Sequence, residues 1–183
     1  MKKTKQQGLI RRPTTEGFTL VETLVAITIL ITVISAAFSA AQAGISLSTF
    51  SKNQTIAFYL AGEGVEQIRN MRDENGLKAQ PWLTGFANSS GDPCYFGKTC
   101  TIDAVNNVVN SCPGSFGSCP LLKEDPVTGF YGYTSTWTNT IFRREIQIKS
   151  INSNEISITV RMSWAQGLIN RQFEIRENLF NWH

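Results

Sequence analysis

One long stretch of this chain carries almost no charge, and it lies close to the amino terminus. From Phe18 to Ser51 the only charged residue is Glu22. Within that stretch, Leu24 to Ala43 gives twenty consecutive residues without a charge. A bilayer core is crossed by about 20 residues of helix, so the segment is long enough to span one. A carboxylate inside such a segment is costly, roughly 2.5–3.5 kcal/mol at the centre of a span and less near its end. Glu22 therefore calls for a role that offsets the cost. Lys2, Lys3, Lys5, Arg11 and Arg12 lie on the amino-terminal side. The positive-inside rule keeps that flank in the cytoplasm and sends the carboxy-terminal bulk across the membrane.

Helical period continues beyond the apolar segment. Phe50, Ala57, Ala61, Val65, Ile68 and Met71 recur at spacings that make one helix face, with Lys52, Asn53, Glu63, Glu66 and Arg69 on the other. Glu66–Arg69 and Arg69–Asp73 stand at helical pair spacings. Proline is absent between Phe18 and Gln80, and Asn75-Gly76 is the expected stop. One helix from Phe18 to Glu74 would be ~85 Å long at 1.5 Å per residue. Gly44, Gly62 and Gly64 are expected weak points, each costing about 1 kcal/mol relative to alanine.

Composition changes from Pro81 to Gly132, where Gly, Pro, Ser and Asn dominate. Short strands are expected there at Cys100–Val105 and Phe130–Thr134. The period then becomes two. Ile156, Ile158, Val160, Met162 and Trp164 alternate with polar residues, and so do Ile169, Phe173 and Ile175. Ala165-Gln166-Gly167-Leu168 suits a hairpin link. Phe142, Ile146 and Ile148 add a preceding strand closed by Asn152-Ser153-Asn154. A sheet with one apolar face needs a cover, and the stripe from Phe50 to Met71 supplies it. The fold class is α+β, a long amino-terminal helix packed on a carboxy-terminal antiparallel sheet.

The junction between basic flank and apolar helix reads Glu16-Gly17-Phe18-Thr19-Leu20-Val21-Glu22. This string resembles the processing site of the type IV pilin and pseudopilin family. The resemblance implies cleavage by prepilin peptidase between Gly17 and Phe18 and methylation of the new amino-terminal residue, Phe18. It makes Glu22 the assembly carboxylate, which meets the amino terminus of a neighbouring subunit. It implies as partners prepilin peptidase, other pilin subunits in a homo- or hetero-filament, and an assembly platform in the inner or cytoplasmic membrane. The chain then divides into a cytoplasmic leader 1–17 that is removed, a transmembrane and filament-core helix 18–45, and an amphipathic continuation 46–76. A Gly/Pro/Cys-rich loop region with short strands covers 77–135, and an antiparallel sheet 136–183. Many family members carry a proline in the apolar half; this chain does not. The string Leu60-Ala61-Gly62-Glu63-Gly64-Val65-Glu66-Gln67-Ile68-Arg69 also looks like prepilin-like proteins. The chain is expected to be a single-pass membrane protein with its amino terminus in the cytoplasm, and then a subunit, minor pilin or pseudopilin, of an extracytoplasmic or surface filament.

Two other fates compete. An ordinary secretory signal would be cut after the apolar region, near Ala40-Ala41-Gln42-Ala43, releasing a soluble enzyme or adhesin. A plain anchor would stay uncut and hold an extracytoplasmic binding domain. Both explain the hydrophobicity but leave Glu22 and the string around it without a purpose.

Four cysteines, Cys94, Cys100, Cys112 and Cys119, fall in the irregular stretch. An even number in an extracytoplasmic loop reads as two disulfides. Of three connectivities, Cys94–Cys100 with Cys112–Cys119 closes the shortest loops. A four-thiolate zinc site prefers pairs two to four residues apart, which these spacings do not provide; free thiols are the remaining alternative. Calcium at Glu124 and Asp125 is conceivable because some pseudopilins hold it in a comparable loop, but the alternating oxygen ligands of a calcium loop are missing. No metal or cofactor is expected.

Composition argues against nucleic-acid binding and catalysis. The formal charge is +3, with 17 Lys+Arg against 14 Asp+Glu. Residues 1–17 hold five of those bases and one of those acids, so their removal leaves 12 against 13, a net of −1. General basicity thus gives no case for nucleic acid. Adjacent Arg143 and Arg144 point to opposite faces of a strand and are expected at the solvated surface. The single histidine, His183, is the terminal residue, so a Ser/His or Cys/His nucleophile pair is not expected.

Overall fold

The computed structural model describes residues 17–182. Its helix, α1, runs Leu20–Leu77 without interruption. Eight strands follow: β1 Thr99–Asp103, β2 Val108–Ser111, β3 Lys123–Glu124, β4 Tyr131–Gly132, β5 Thr138–Asn139, β6 Phe142–Asn152, β7 Glu155–Gln166 and β8 Ile169–Phe180. The first five are short and the last three form a meander. The chain divides into two units after Ser48.

Up to Ser48 the described chain is helix from Leu20 onward, with every side chain exposed. This part is long and apolar enough to cross a membrane, with a mean hydropathy of 2.4 over its best window. Its hydroxyls turn inward on the backbone. Thr23 donates to Leu20 O, Thr28 to Val25 O and Thr32 to Ile29 O, each at 2.8 Å, and Ser39 to Ser35 O at 2.9 Å. Such bonds let a helix carry Ser and Thr into hydrocarbon without an unsatisfied donor.

From Thr49 onward α1 is amphipathic. Ala57, Leu60, Ala61, Val65 and Ile68 are buried with Ile146, Ile148, Ile156, Ile158, Val160 and Met162 of the sheet in one core. Side chains of α1 and β8 meet in register: Phe58 stacks on Phe173 with centroids 4.6 Å apart, Arg69 pairs with Glu177, and Arg72 donates to Phe180 O. Of the two helical ion pairs expected from spacing, Glu66–Arg69 forms at 2.5 Å. The second does not, because Arg69 reaches across to Glu177, and Asp73 pairs with its neighbour Arg72 at 2.8 Å.

The helix does not stop at Asn75-Gly76. It ends one residue later, at Leu77, in a six-residue closing turn, with Ala79 N–H donating to Gly76 O at 3.0 Å and Gln80 N–H to Asn75 O at 2.9 Å. This is the Schellman pattern, whose left-handed position is usually glycine. Here Ala79 fills it with a φ of 52°. Asn75 is buried instead, its Nδ2 donating to Thr84 O at 2.9 Å and Trp82 O at 3.3 Å. Asn75 fastens the following turn rather than ending the helix.

The main sheet is antiparallel with strand order β2-β1-β6-β7-β8. It is wider than the meander read from periodicity, because residues from the Gly/Pro-rich stretch contribute β1 and β2. β1 pairs with β6 through Cys100↔Ile146 and is buried along its length. Burial on both faces removes the alternation that would mark it in sequence. β3, β4 and β5 make a second small sheet. β7 alternates as its sequence requires, with Ile156, Ile158, Val160, Met162 and Trp164 all buried. A two-residue loop, Gly167-Leu168, joins β7 to β8, and Gly167 takes the positive φ of 62° that such loops need.

Arg143 and Arg144 do not both sit at the solvated surface. They point to opposite faces of β6, and Arg144 has no exposed surface. It lies under α1, donating to Leu60 O at 2.8 Å, Ile102 O at 2.7 Å and Glu63 Oε2 at 2.5 Å. Gly64 makes the room: a Cβ there would stand 3.1 Å from Arg144 Cδ.

Candidate processing and assembly site

The residues singled out at the junction divide at the start of the described chain. Glu16 and the basic flank lie outside it. Gly17, Phe18 and Thr19 precede α1 in non-helical backbone, and Leu20 begins the helix. Thr19 is the cap. Its Oγ1 accepts from Glu22 N–H at 3.2 Å, and its carbonyl accepts the first helical bond, from Thr23 N–H at 3.1 Å. Glu22 is therefore the third residue of the helix, one turn after the cap. Thr19-x-x-Glu22 is the capping-box pattern. The signal for that role in the sequence is the four-residue spacing alone.

Two consequences follow from this geometry. The Gly17–Phe18 bond lies outside the helix, in backbone not committed to helical hydrogen bonds. Glu22 lies in the first turn, where the helix dipole favours a negative charge by about 0.3–1 kcal/mol. A carboxylate at the centre of a span costs roughly 2.5–3.5 kcal/mol and less at its end, so the cap and dipole offset part of the cost of carrying Glu22 into lipid.

The helix surface beyond the cap states a stronger demand. Fourteen large apolar residues from Phe18 to Leu47 are more than half exposed. Burying one such side chain is worth about 1.5–3 kcal/mol, so leaving all of them in water would cost on the order of 20–40 kcal/mol. A domain is stable by about 5–15 kcal/mol. The segment therefore belongs in lipid or against other helices.

The cysteines pair as Cys94–Cys100 and Cys112–Cys119, with Cα–Cα distances of 5.2 Å and 5.0 Å, and none is free. The first bridge ties the turn after α1 to β1. The second closes a loop over the sheet face opposite α1. Glu145, 1% exposed, anchors that loop by accepting from Gly117 N–H at 2.7 and 2.9 Å and from Cys119 N–H at 3.2 Å.

Asp103 organises the small sheet. It accepts from Val105, Asn106 and Tyr133 N–H and from Asn106 Nδ2, at 3.0–3.1 Å. Burial pushes its carboxyl up, but these hydrogen bonds outweigh burial and hold it below the usual aspartate range. Burial raises the neighbouring Tyr133 phenol to about 12. Asp125 closes a turn on Val127 N–H and Thr128 Oγ1. No group of three metal-ligating side chains occurs among the described residues. His183 lies outside them.

No curated protein and no solved structure matches the chain. The family model described as the prokaryotic N-terminal methylation motif matches residues 12–38, which span Arg12 at the end of the flank, the Gly17–Phe18 junction, Thr19, Glu22 and most of the apolar segment. That motif is characteristic of type IV pilins and pseudopilins and points to a structural subunit rather than an enzyme. The amino-terminal motif is that of type IV pilins and pseudopilins, and the long apolar helix followed by antiparallel sheet is an α+β arrangement consistent with a pilin-like fold.

Proposed function

We propose that the chain is the precursor of a type IV pilus-like filament subunit, a minor pilin or pseudopilin. Prepilin peptidase cuts it after Gly17, Phe18 becomes the methylated amino terminus, and the apolar helix passes from the membrane into a filament core. The supporting observation is the match over residues 12–38 with a single carboxylate, Glu22, in an otherwise uncharged run to Ser51. Cleavage would create an ammonium one residue before the cap, at the positive end of the helix dipole. An amine there is disfavoured and gains by meeting a carboxylate. A buried carboxylate is tolerable only when paired. Glu22 of one subunit and the Phe18 amine of the next satisfy each other, and the pair fixes the axial offset between adjacent helices. Cleavage must then precede assembly, because the uncut chain has no amine at Phe18. Before assembly the helix anchors the protein as a single span with residues 1–17 in the cytoplasm and residues 46–183 outside it. Its partners are the peptidase, sister subunits and an assembly platform in the membrane.

One observation favours a second reading. Glu22 stands one turn inside a helix capped by Thr19, where an acid is at home without any neighbour. An uncut, membrane-anchored binding domain would show the same cap. The mass of the amino-terminal peptide from the membrane form separates the two. A mature start at methylated Phe18, with Gly17→Val left uncut, is expected. An intact start at Met1 supports the anchor, and a start near Gln42 supports release by an ordinary signal peptidase.

A further inference from the structure

A cavity of about 520 Å³ opens on the face of the main sheet opposite the helix core. Strand alternation brings Arg143, Glu145, Arg161, Ser163 and Gln172 to that face, while Arg144 and Met162 point to the core. The loop closed by Cys112–Cys119 forms one rim. Its Phe116 ring lies 3.8 Å from the Arg161 guanidinium, and Arg161 is further held by Glu174 Oε1, 2.9 Å from Nε and 2.5 Å from Nη2. Leu121 and Ile141, both partly exposed, line another side.

The charges in this cavity are unevenly committed. The oxygens of Glu145 are taken by Gly117 and Cys119 N–H. Arg161 is held by Glu174 through Nε and Nη2 and lies against the Phe116 ring. Arg143 is different: its Nε is buried without a hydrogen-bond partner, and it makes no ion pair among the described residues. A buried charged donor without an acceptor is costly. The rim around it is tied by the Cys112–Cys119 disulfide and by the buried Glu145 carboxylate.

We propose that this cavity binds a ligand bearing a carboxylate, with Arg143 as its anchor. A guanidinium offers a planar fork that matches a carboxylate through two parallel hydrogen bonds. Arg171 also lines the cavity, its guanidinium 5.0 Å from the Phe50 ring centroid, and the nearby Glu145 and Glu174 charges disfavour a dianion such as phosphate. Leu121 and Ile141 call for an apolar body next to the carboxylate. The volume falls within the range of roughly 300–1,000 Å³ usual for small-molecule sites. A free small carboxylate and the carboxyl terminus of a peptide ending in an apolar residue share this chemistry.

Calorimetric titration of the full chain in detergent micelles tests it. The probes are benzoate, its neutral isostere benzamide, and a hexapeptide ending in leucine as free acid and as amide. Binding of an acid but not of its amide is expected, weakened about tenfold or more in Arg143→Gln by loss of the charged hydrogen bonds. Where Arg143→Gln does not fold, Arg143→Lys keeps the charge without the fork and is expected to weaken binding severalfold. Benzoate binding identifies a free small carboxylate as sufficient; binding of the peptide acid alone identifies the peptide terminus. Equal binding of acid and amide, binding untouched by either Arg143 variant, or no binding of any probe overturns the site.

Discussion

Arg144 offers the sharpest test of what holds the helix to the sheet. It is fully buried, yet its ion-pair partner Glu63 keeps 39% of its side chain exposed. An ion pair with one solvated member contributes only up to about 1 kcal/mol. The bonds to Leu60 O and Ile102 O lie inside the core. Hydrogen bonds from a charged donor are worth about 1.5–3 kcal/mol each, and truncation leaves the Ile102 carbonyl unsatisfied and a cavity behind. Arg144→Ala is therefore expected to cost about 3–5 kcal/mol, against less than about 1 kcal/mol for Glu63→Gln. Arg144→Met, which refills the volume, falls between them. Thermal unfolding of the full chain in detergent, followed by tryptophan fluorescence, reads the difference. A Tm drop of about 10 °C for Arg144→Ala and about 2–3 °C for Glu63→Gln is expected at ~3 °C per kcal/mol. Equal drops would show that the ion pair holds the contact. A rise with Arg144→Met would show that burying the charge costs more than its bonds return.

Asp103 sets an acid limit. Its folded carboxyl lies below the unfolded value of about 3.9, so the native state binds fewer protons and the stability it contributes is present above that value. That contribution should be lost as pH falls through the folded value, and unfolding curves of Asp103→Asn should show a flatter acid limb. Ala79→Gly should stabilise the chain by about 1 kcal/mol, read by denaturant midpoint, because glycine relieves the left-handed strain at the helix end. Peptide mapping without reduction should return Cys94–Cys100 and Cys112–Cys119 with no alkylatable thiol; stoichiometric zinc or a crossed pair would contradict the structure.

Much of the architecture was legible because two periods are strong in this chain. The 3.6-residue stripe from Ala57 to Ile68 and the two-residue alternation from Ile156 to Trp164 face each other in the core, as their patterns require. β1 and β2 were harder to read. β1 is buried on both faces and follows a turn-rich stretch with Gly91, Pro93 and Gly97, so neither alternation nor composition marks it fully as part of the main sheet. Arg144 was misplaced because sequence prices two adjacent arginines as solvent-facing. Nothing local shows that Gly64, 80 residues earlier, leaves a slot for one of them. The Thr19 cap was visible as a spacing, while Glu145 could be found only once the Cys112–Cys119 loop folded over it. Arg143 carried no signal apart from its neighbour.

The central claim is that Glu22 serves assembly. Glu22→Ala bears on it most directly when cleavage and incorporation into sheared surface filaments are followed together. Loss of the carboxylate would leave the Phe18 amine of a neighbour buried and unpaired, which costs about 3–5 kcal/mol, or roughly a hundredfold or more in the assembly equilibrium. Cleavage should be largely spared, since the cut bond lies before the helix and Glu22 within it. The account predicts Glu22→Ala protein that is processed but absent from filaments that hold the wild type. Equal incorporation of the two would contradict it.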